Sequence, residues 1–331
     1  MASTDNQKSV YNLPADAVWL ITGCSSGLGL SLAQLIAAHP THRLVATARN
    51  PSKVIDALPS NPRVLVVALD VNSPDSITAA LDTVLKHPGF GRIDVLVNNA
   101  GYGVMGDSES ALPFSPEVPG SSDEEHAKAR GMVETNFWGT AIMTLHAMRI
   151  MREDNARNGG NQGGLVIQIT SMGGFIGFPG GAFYHAAKFA VEGFTESVSR
   201  EVRPEWNIHF TIAEPGGIDT NFATSSLSAL ANHPAYDAPG SPARVLAAYV
   251  DDPEARKSWS QPEAMAKAIY EVASRGKPVP VRFPLGAVAW GTLWANANSI
   301  IEEFQEMKEL SLGVDSAEQV KDAVEKVKSL Y

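Results

Sequence analysis

The sequence predicts an α/β fold in which a doubly wound parallel sheet is covered by helices on both faces. Three observations predict it: short apolar runs alternate with segments of helical periodicity, the first run ends in a glycine-rich turn, and polar residues follow several of the runs. Strands that alternate with helices form parallel sheets through right-handed crossovers. No linker rich in Pro, Gly or Ser divides the pattern, so we expect a single domain with a C-terminal helical extension.

The individual elements follow from the spacing of the apolar residues. Residues 17–22 form a short apolar run that ends at glycines, and Leu28, Leu32 and Leu35 then recur at near-helical spacing. The same alternation predicts further strands at 43–47, 64–69, 95–97, 165–169, 209–213 and 279–283, and helices at 77–85, 132–151, 184–202 and 264–272.

Two segments interrupt this alternation. Residues 107–130 contain several prolines and an acidic run, which predicts a surface loop that ends in a helix N-cap. Residues 221–260 are rich in Ser, Ala and Pro with scattered aromatic side chains, and we expect them to form a flap over a ligand crevice. The sequence thus predicts an N-terminal tail (1–15), one domain (16–285) and a helical extension (286–331).

The composition excludes several classes of partner. The chain has 26 Lys and Arg against 36 Asp and Glu, and its basic residues are scattered, so we expect no nucleic-acid partner. A single cysteine, no apolar leader and no run of about 18 apolar residues favour a cytoplasmic protein without a membrane span. The eight histidines show no metal-ligand spacing, so no metal is expected.

A glycine-rich turn follows the first strand. Gly23, Gly27 and Gly29 are spaced G-x-x-x-G-x-G and open a helix. Glycines let the backbone approach a pyrophosphate closely, and the helix N-terminus offers free N–H groups and the positive end of its dipole. Glycines also make strand-to-helix turns for steric reasons, but the strand before this loop and the helix after it favour dinucleotide binding.

The residue after the second strand indicates which dinucleotide. Domains that bind NAD carry an acidic residue there, which holds the ribose 2′-hydroxyl, whereas this chain has Arg49. A carboxylate would repel a 2′-phosphate, but a guanidinium can pair with it through two hydrogen bonds. Arg49 therefore predicts NADP(H), with a solvated surface arginine as the alternative.

Tyr184 and Lys188 lie four residues apart, on one face of a predicted helix. Because a phenol titrates near a pH of about 10, it exchanges protons at neutral pH only if a nearby cation stabilises its phenolate. Lys188 can supply that charge, although the spacing alone also fits a surface pair. Ser171 follows the strand 165–169 and would lie at the carboxyl edge of the sheet, where open α/β domains bind ligands.

These motifs occur, in order, together with Asn98-Asn99-Ala100-Gly101 and with Pro215-Gly216-Gly217-Ile218-Asp219-Thr220. In this arrangement the chain resembles the short-chain dehydrogenase/reductase family over residues 16–285, and it is similar to the NADP-preferring branch that acts on steroids and retinoids. The resemblance implies a Rossmann fold and a catalytic tetrad. The tetrad would consist of Asn136, Ser171, Tyr184 and Lys188.

The resemblance also implies a role for each member of the tetrad. Tyr184 would protonate the developing alkoxide while Ser171 polarises the carbonyl oxygen. Lys188 would lower the pKa of Tyr184 and hold the nicotinamide ribose, and Asn136 would hold a water molecule of the proton relay.

The family's cofactor site is carried over in the same way. Asp70 and Val71 would meet the adenine, Asn98 would brace the sheet, and Ile218 and Thr220 would orient the nicotinamide carboxamide. The implied NADP(H) site comprises Gly23, Ser25, Ser26, Gly27, Leu28, Gly29, Arg49, Asp70, Val71, Asn98, Ala100, Gly101, Tyr184, Lys188, Pro215, Gly216, Ile218 and Thr220.

The implied function is an NADP(H)-dependent oxidoreductase that interconverts a carbonyl group and an alcohol. Apolar side chains near the site predict a lipophilic small-molecule substrate. They are Phe175, Ile176, Phe178, Pro179, Phe183, Phe222 and Trp259. Two alternatives stay open: a redox-neutral enzyme of the same fold, such as an isomerase, dehydratase or cyclase, and a non-catalytic NADP(H)-sensing protein. Apolar Phe189, Val191, Phe194 and Val198 would permit a homodimer or homotetramer.

Overall fold

The strands consist mainly of Val, Leu, Ile and Ala, as expected for a parallel sheet that is buried on both faces. We describe them from a computed structural model, which covers residues 10–113, 122–238, 240–314 and 317–328. The strands are β1 (Val18–Ile21), β2 (Arg43–Ala48), β3 (Val64–Ala68), β4 (Val95–Asn98), β5 (Gly103–Met105), β6 (Gly164–Ile169), β7 (Ile208–Pro215), β8 (Leu227–Ala229) and β9 (Arg282–Leu285).

Seven of these strands form one parallel sheet in the order β3-β2-β1-β4-β6-β7-β9. The chain runs outward from β1 to β3 and then returns to add β4 on the other side of β1. The crevice between the carboxyl ends of β1 and β4 is therefore the topological switch point, where folds of this kind bind ligands. The predicted doubly wound α/β fold is confirmed.

Helices cover both faces of this sheet. Along β1, Trp19 and Ile21 pack into one apolar layer, and Val18 and Leu20 pack into the other. The helices are α1 (Gly27–Ala38), α2 (Ser52–Ala57), α3 (Pro74–Lys86), α4 (Ser122–Val133), α5 (Thr140–Glu153), α6 (Ala182–Glu201), α7 (Phe222–Ser225), α8 (Pro242–Asp251), α9 (Pro253–Arg256), α10 (Pro262–Ser274), α11 (Ala287–Glu306), α12 (Lys308–Leu312) and α13 (Ala317–Lys328).

The helix predicted over 132–151 begins ten residues earlier, at Ser122, and is interrupted by a π-helical turn over Glu134–Gly139. The final part of the predicted loop 107–130 is therefore helix α4. Three acidic residues lie in its first turn, where the helix dipole favours negative charge. The prolines at 116 and 119 lie outside the described residues.

The predicted flap, residues 221–260, contains regular structure. Its strand β8 pairs in parallel with β5, which follows β4 and forms one wall of the crevice. Helices α7, α8 and α9 make up much of the rest. A side chain at Gly103 would overlap with Leu227, since a Cβ there would lie 2.6 Å from Leu227 Cδ1, so this glycine allows the flap to approach the wall closely.

The two ends of the domain differ from the prediction. The last strand lies at Arg282–Leu285, three residues later than predicted, because Pro278 and Pro280 cannot donate backbone hydrogen bonds to a neighbouring strand. At the N-terminus, Tyr11 belongs to the core and its hydroxyl donates to the Asp94 carbonyl at 2.9 Å. The described part of the predicted tail therefore packs against the domain.

The C-terminal residues form helices α11 to α13, in accord with the predicted extension. The first turns of α11 pack against the domain through the buried side chains of Ala289 and Leu293. Beyond them, Ile301, Phe304 and Leu310 are exposed to solvent. Within the described residues, no helix is both long enough and apolar enough to cross a membrane.

Candidate active site

A cavity of about 890 Å³ opens at the carboxyl edge of the sheet, at the switch point between β1 and β4. It brings together segments that are up to 270 residues apart in sequence, from Thr22 after β1 to Thr292 in α11. Ser171, Tyr184 and Lys188 line it, as do all the predicted cofactor residues except Gly29 and Asn98. The predicted catalytic residue Asn136 lies behind the wall of the cavity.

The glycine loop between β1 and α1 is shaped for close approach by a ligand. Gly23 and Gly27 have φ angles of +73° and +58°, which side chains rarely adopt. A Cβ at Gly23 would lie 2.9 Å from Ala100 Cα. Ser26 precedes α1 without a side-chain capping bond, and the first turn of α1 holds no acidic residue. The N–H groups of that turn are therefore available to an anion.

Gly29 and Asn98 do not line the cavity, but both contribute to the packing that holds the glycine loop. A side chain at Gly29 would overlap with the Gly23 carbonyl oxygen and the Asn99 amide, so the residue is required for packing. The Asn98 side chain donates to Thr144 Oγ1 at 3.0 Å and Gln168 Oε1 at 2.9 Å, in accord with its predicted role of bracing the sheet.

Asn99, which the sequence analysis did not select, is the residue that touches the loop. Its Nδ2 donates to the carbonyl oxygens of Thr22, at 2.9 Å, and Gly23, at 3.1 Å. These bonds fix the backbone of the glycine loop against the end of β4. The second Asn of the Asn98-Asn99-Ala100-Gly101 motif was the signal that could have identified it.

At one end of the cavity, directly after β2, the exposed Arg49 lies on the rim. Among the described residues, no carboxylate forms an ion pair with its guanidinium, so the charge is available to an anionic ligand. Asp70 and Val71 line the same end, and one Asp70 carboxylate oxygen accepts from the Asn72 backbone N–H at 3.0 Å.

Ser171 begins a short 3₁₀ turn directly after β6. Its Oγ accepts a hydrogen bond from the Gly173 N–H at 3.0 Å. Because a hydroxyl carries one hydrogen and two lone pairs, this bond leaves the hydrogen of Ser171 free to donate. A hydrogen bond with Ser171 lowers the pKa of Tyr184, so the two hydroxyls are within reach of each other.

The partly buried Tyr184 lies in the first turn of α6, and its ring contacts His185 and Phe222. Burial raises its pKa to about 12, against the smaller effect of Ser171. The hydrogen bond with Ser171 lowers this pKa, and the predicted lowering of the Tyr184 pKa by Lys188 stays a prediction. At neutral pH the phenol is protonated, which is the form that a proton donor needs.

Lys188 lies one helical turn after Tyr184, with its side chain buried and its Nζ 5.7 Å from the centre of the tyrosine ring. Its ammonium donates to the Ile169 carbonyl at 3.0 Å. Burial lowers its pKa to about 8, and the carboxylate of Glu192 opposes that change. This lysine therefore gains and loses its proton close to physiological pH.

Asn136 lies in the π-helical turn and is fully buried. Its side chain accepts from the Tyr102 N–H at 3.0 Å and donates to the Tyr102 carbonyl at 2.8 Å. These bonds fix the segment after β4. A Cβ at Gly101 would lie 2.8 Å from Asn136 Oδ1, so the glycine allows this contact. The structure therefore gives the Asn136 side chain a positioning role, and its water-binding role stays a prediction.

The segment 215–220 joins the glycine loop to the flap. Thr220 packs against Gly27, where a Cβ would lie 3.3 Å from Thr220 Cβ. Gly217 packs under the indole of Trp259, with its carbonyl accepting from the Ser260 N–H at 3.0 Å. The predicted nicotinamide segment therefore forms part of the floor of the cavity and is fixed by the flap.

The remaining wall is apolar. Of the side chains that we predicted for a lipophilic pocket, Phe178, Phe222 and Trp259 line the cavity. Phe175, Ile176, Pro179 and Phe183 do not, and Phe183 packs instead in a small cluster between β5, α4 and α6. Other lining residues come from distant elements and carried no sequence signal. They include Met105, Leu246, Tyr249, Val288 and Thr292.

A protein-family model described as short chain dehydrogenase matches residues 17–230. The chain is 42% identical to Oxidoreductase calM of Penicillium decumbens over 302 residues, which cover 91% of this chain and 94% of that protein. It is 30% identical to Retinol dehydrogenase 8 of Bos taurus, over 80% of this chain and 79% of the relative.

Among solved structures, a short-chain dehydrogenase from Streptomyces avermitilis superposes with a TM-score of 0.73 and 28% sequence identity, over 90% of this chain and all of the other. The family model, the similar proteins and the strand order of the sheet all indicate the same family. This chain belongs to the short-chain dehydrogenase family of oxidoreductases.

Proposed function

We propose that this protein is an NADP(H)-dependent oxidoreductase that reduces a carbonyl group on a neutral, lipophilic small molecule, or oxidises the corresponding alcohol. The observation that carries the proposal is the meeting of a protonated phenol, a serine hydroxyl within its reach and a buried ammonium in one cavity, beside a glycine loop suited to an anion. When bound, NADPH supplies the hydride.

The residues present fit such a dinucleotide. Gly23 and Gly27 give the loop backbone conformations that side chains rarely adopt, and the start of α1 offers N–H groups to the pyrophosphate. Arg49 supports the choice of NADP(H), because its guanidinium has no ion-pair partner in the described residues. Asp70 lies further along the same rim, on the side where the adenine is expected.

The proton chemistry is assigned to three residues. Tyr184 donates its proton to the oxygen of the substrate carbonyl, and Ser171 donates a hydrogen bond to the same oxygen. Lys188, which is close to its own pKa at physiological pH, returns a proton towards Tyr184 and stabilises the phenolate. Asn136 is a positioning residue, since its side chain is committed to Tyr102.

The lining of the cavity limits the substrate. Among the described residues, the charged side chains that line it are Arg49, Asp70 and Lys188, all at predicted cofactor positions. The remainder is lined by apolar and aromatic side chains, by serine and threonine hydroxyls, by asparagine amides and by the imidazole of His185, whose pKa is lowered by burial. A carboxylate, phosphate or coenzyme A thioester would have no cation to pair with there, so we propose an uncharged substrate.

The test is NADPH oxidation with a panel of neutral ketones and aldehydes, matched against charged analogues of similar size. We expect turnover with members of the neutral set and at least about tenfold lower kcat/KM with the carboxylates, because their charge would be buried unpaired. Equal or better turnover of the carboxylates would contradict the proposed substrate class.

Replacement of Arg49 tests the cofactor assignment. In Arg49→Ala we expect the Kd for NADPH to rise about 10- to 100-fold with little change in the Kd for NADH, because a charge-assisted pair with the 2′-phosphate is lost. Fluorescence titration with both nucleotides measures this. Lys53→Ala removes an exposed cation outside the cavity and should leave both constants unchanged. An unchanged NADPH affinity in Arg49→Ala would refute the role of Arg49.

We further propose a homodimer through the outer face of α5 and α6. Of the four positions predicted for such contact, Val191 and Val198 are buried in the chain's own core, whereas Phe189 is 45% exposed. Trp138 and Leu145, each 51% exposed, extend the apolar surface beside it.

In Leu145→Arg we expect the dimer to dissociate, as measured by analytical ultracentrifugation. A matched substitution at the similarly exposed Ile55, Ile55→Arg, should leave the dimer intact. A dimeric Leu145→Arg would place the interface elsewhere.

A further inference from the structure

A cluster of charged residues lies beside Lys188 but does not line the cavity. Glu192, one turn after Lys188 on α6, is 3% exposed, and Glu214, near the carboxyl end of strand β7, is 1% exposed. The Nε of Arg282 lies 3.6 Å from Glu192 Oε2 and 3.6 Å from Glu214 Oε1. The partly exposed Glu196 pairs with the Nη2 of the same arginine at 3.1 Å.

The contacts of the two buried carboxyl groups indicate that one of them is neutral. A single guanidinium faces two buried carboxyls and is already paired with Glu196. The two buried carboxyls also hydrogen-bond to each other, which requires a proton on one of them. Two carboxylates in such contact cannot both ionise at low cost, as in other paired carboxyl sites.

The surroundings decide which group carries the proton. The Thr170 hydroxyl donates to Glu192 Oε1 at 3.0 Å, and both Arg282 and Lys188 favour the ionised form of Glu192. Glu214 has fewer such partners, and its Oε1 accepts no hydrogen bond. Burial and the charge of Glu192 raise the pKa of Glu214 to about 8. The proton therefore belongs on Glu214, with Glu192 as the carboxylate.

We propose that Glu192 and Glu214 share one proton and act together as positioning residues for Lys188. The ionised Glu192 keeps the buried ammonium charged, and the neutral Glu214 holds Glu192 in place. This inference rests on the function proposed above for Lys188. Neither carboxyl group lines the cavity, so both act through the lysine.

The connections of the pair to the chain support this role. Thr170 directly precedes Ser171, and the Ile169 carbonyl before it accepts the hydrogen bond of Lys188. Glu214 directly precedes Pro215 and Gly216, which line the cavity. The pair thus ties α6 to the ends of β6 and β7, the segments that carry the rest of the site. The other charged group nearby is Arg200, which pairs with Glu196.

The first test is the pH dependence of carbonyl reduction. In the wild type, kcat/KM should fall as the pH rises through about 8, because Lys188 loses its proton. In Glu192→Gln the opposing charge is gone, so we expect this decline to begin about one pH unit lower or more. Glu196→Gln removes a carboxylate from the same arginine without facing Lys188, and it should leave the profile unchanged.

Two substitutions at Glu214 separate the shared proton from simple packing. Glu214→Gln keeps a neutral hydrogen-bond donor, whereas Glu214→Leu does not. We expect Glu214→Leu to lower kcat at pH 7 about tenfold or more, because Glu192 and with it Lys188 lose their fixed position. Glu214→Gln should recover most of that loss. Equal losses in the two variants would overturn the role assigned to the proton.

The second test needs no substrate. Because folding raises the pKa of Glu214, its contribution to stability is complete below its ordinary value of 4.5 and is lost as the pH rises towards about 8. The Tm of Glu214→Gln relative to wild type should therefore rise by about 3 °C or more between pH 5 and pH 8. Glu196→Gln should show no such trend.

The outcomes separate the two levels of the proposal. A Tm difference that does not change with pH would show that no proton is shared. A pH-dependent Tm difference with a wild-type profile in Glu192→Gln would make the pair purely structural and overturn its action on Lys188. Wild-type protein that binds NADPH but reduces no carbonyl would overturn the proposed function, while the Tm comparison would still test the shared proton.

Discussion

Tyr184→Phe is expected to lose carbonyl reduction by about 10³-fold or more while its Kd for NADPH stays within about threefold of wild type. The substitution removes only the hydroxyl, so the packing of the ring against His185 and Phe222 is kept. What is lost is the proton donor, whose pKa of about 12 keeps it protonated over the working pH range. Single-turnover measurements with saturating NADPH would report the chemical step directly.

The matched control is Tyr236→Phe, which removes a hydroxyl from the flap at a position that does not line the cavity. Its rate should stay within about twofold of wild type, as for most surface substitutions. A Tyr184→Phe protein with a wild-type rate would remove Tyr184 from the chemistry. A loss of NADPH binding in that variant would instead assign the residue to the cofactor site.

Gly29→Ala is expected to disrupt the glycine loop. The added methyl group would overlap with the Gly23 carbonyl and the Asn99 amide, which are the groups that fix the loop against β4. Relief of that overlap must move backbone, and we expect a cost of about 1–3 kcal/mol in the free energy of unfolding. NADPH affinity should fall at least about tenfold, because the N–H groups at the start of α1 move with the loop.

Gly291→Ala is the control for this prediction. Gly291 also lies in a helix, but a Cβ there would meet nothing within 4 Å. Alanine is the better helix former, so this variant should be as stable as wild type or gain up to about 1 kcal/mol. Chemical denaturation and NADPH titration of both variants provide the comparison. Unchanged NADPH binding in Gly29→Ala would mean that the loop does not hold the cofactor.

The sequence predicted the central sheet well because its strands are short, continuous apolar runs bounded by glycines and polar residues. The errors fell where that signal is weak. Strands β5 and β8 are three residues long, too short for a periodic pattern. Helix α4 was placed too late because its polar sequence has no apolar stripe, although the acidic residues after Ser122 are a helix-start signal.

The site was predictable where it is built from contiguous motifs, and unpredictable where it depends on the packing of distant segments. Gly23, Tyr184 and Lys188 lie in local patterns with a physical meaning. Tyr249 and Val288 reach the cavity only because the flap and α11 fold over it, which no local spacing encodes. The raised pKa of Tyr184 likewise arises from burial, a property of the whole fold.

The most direct test of the central claim is hydride transfer itself. NADPH carrying deuterium at C4 of the nicotinamide, prepared separately in each stereochemical form, would be incubated with the best neutral carbonyl substrate, and the product alcohol would be analysed by mass spectrometry. We expect one deuterium on the carbinol carbon from one of the two preparations. Conversion of substrate without deuterium from either preparation would contradict the claim and assign redox-neutral chemistry to this site.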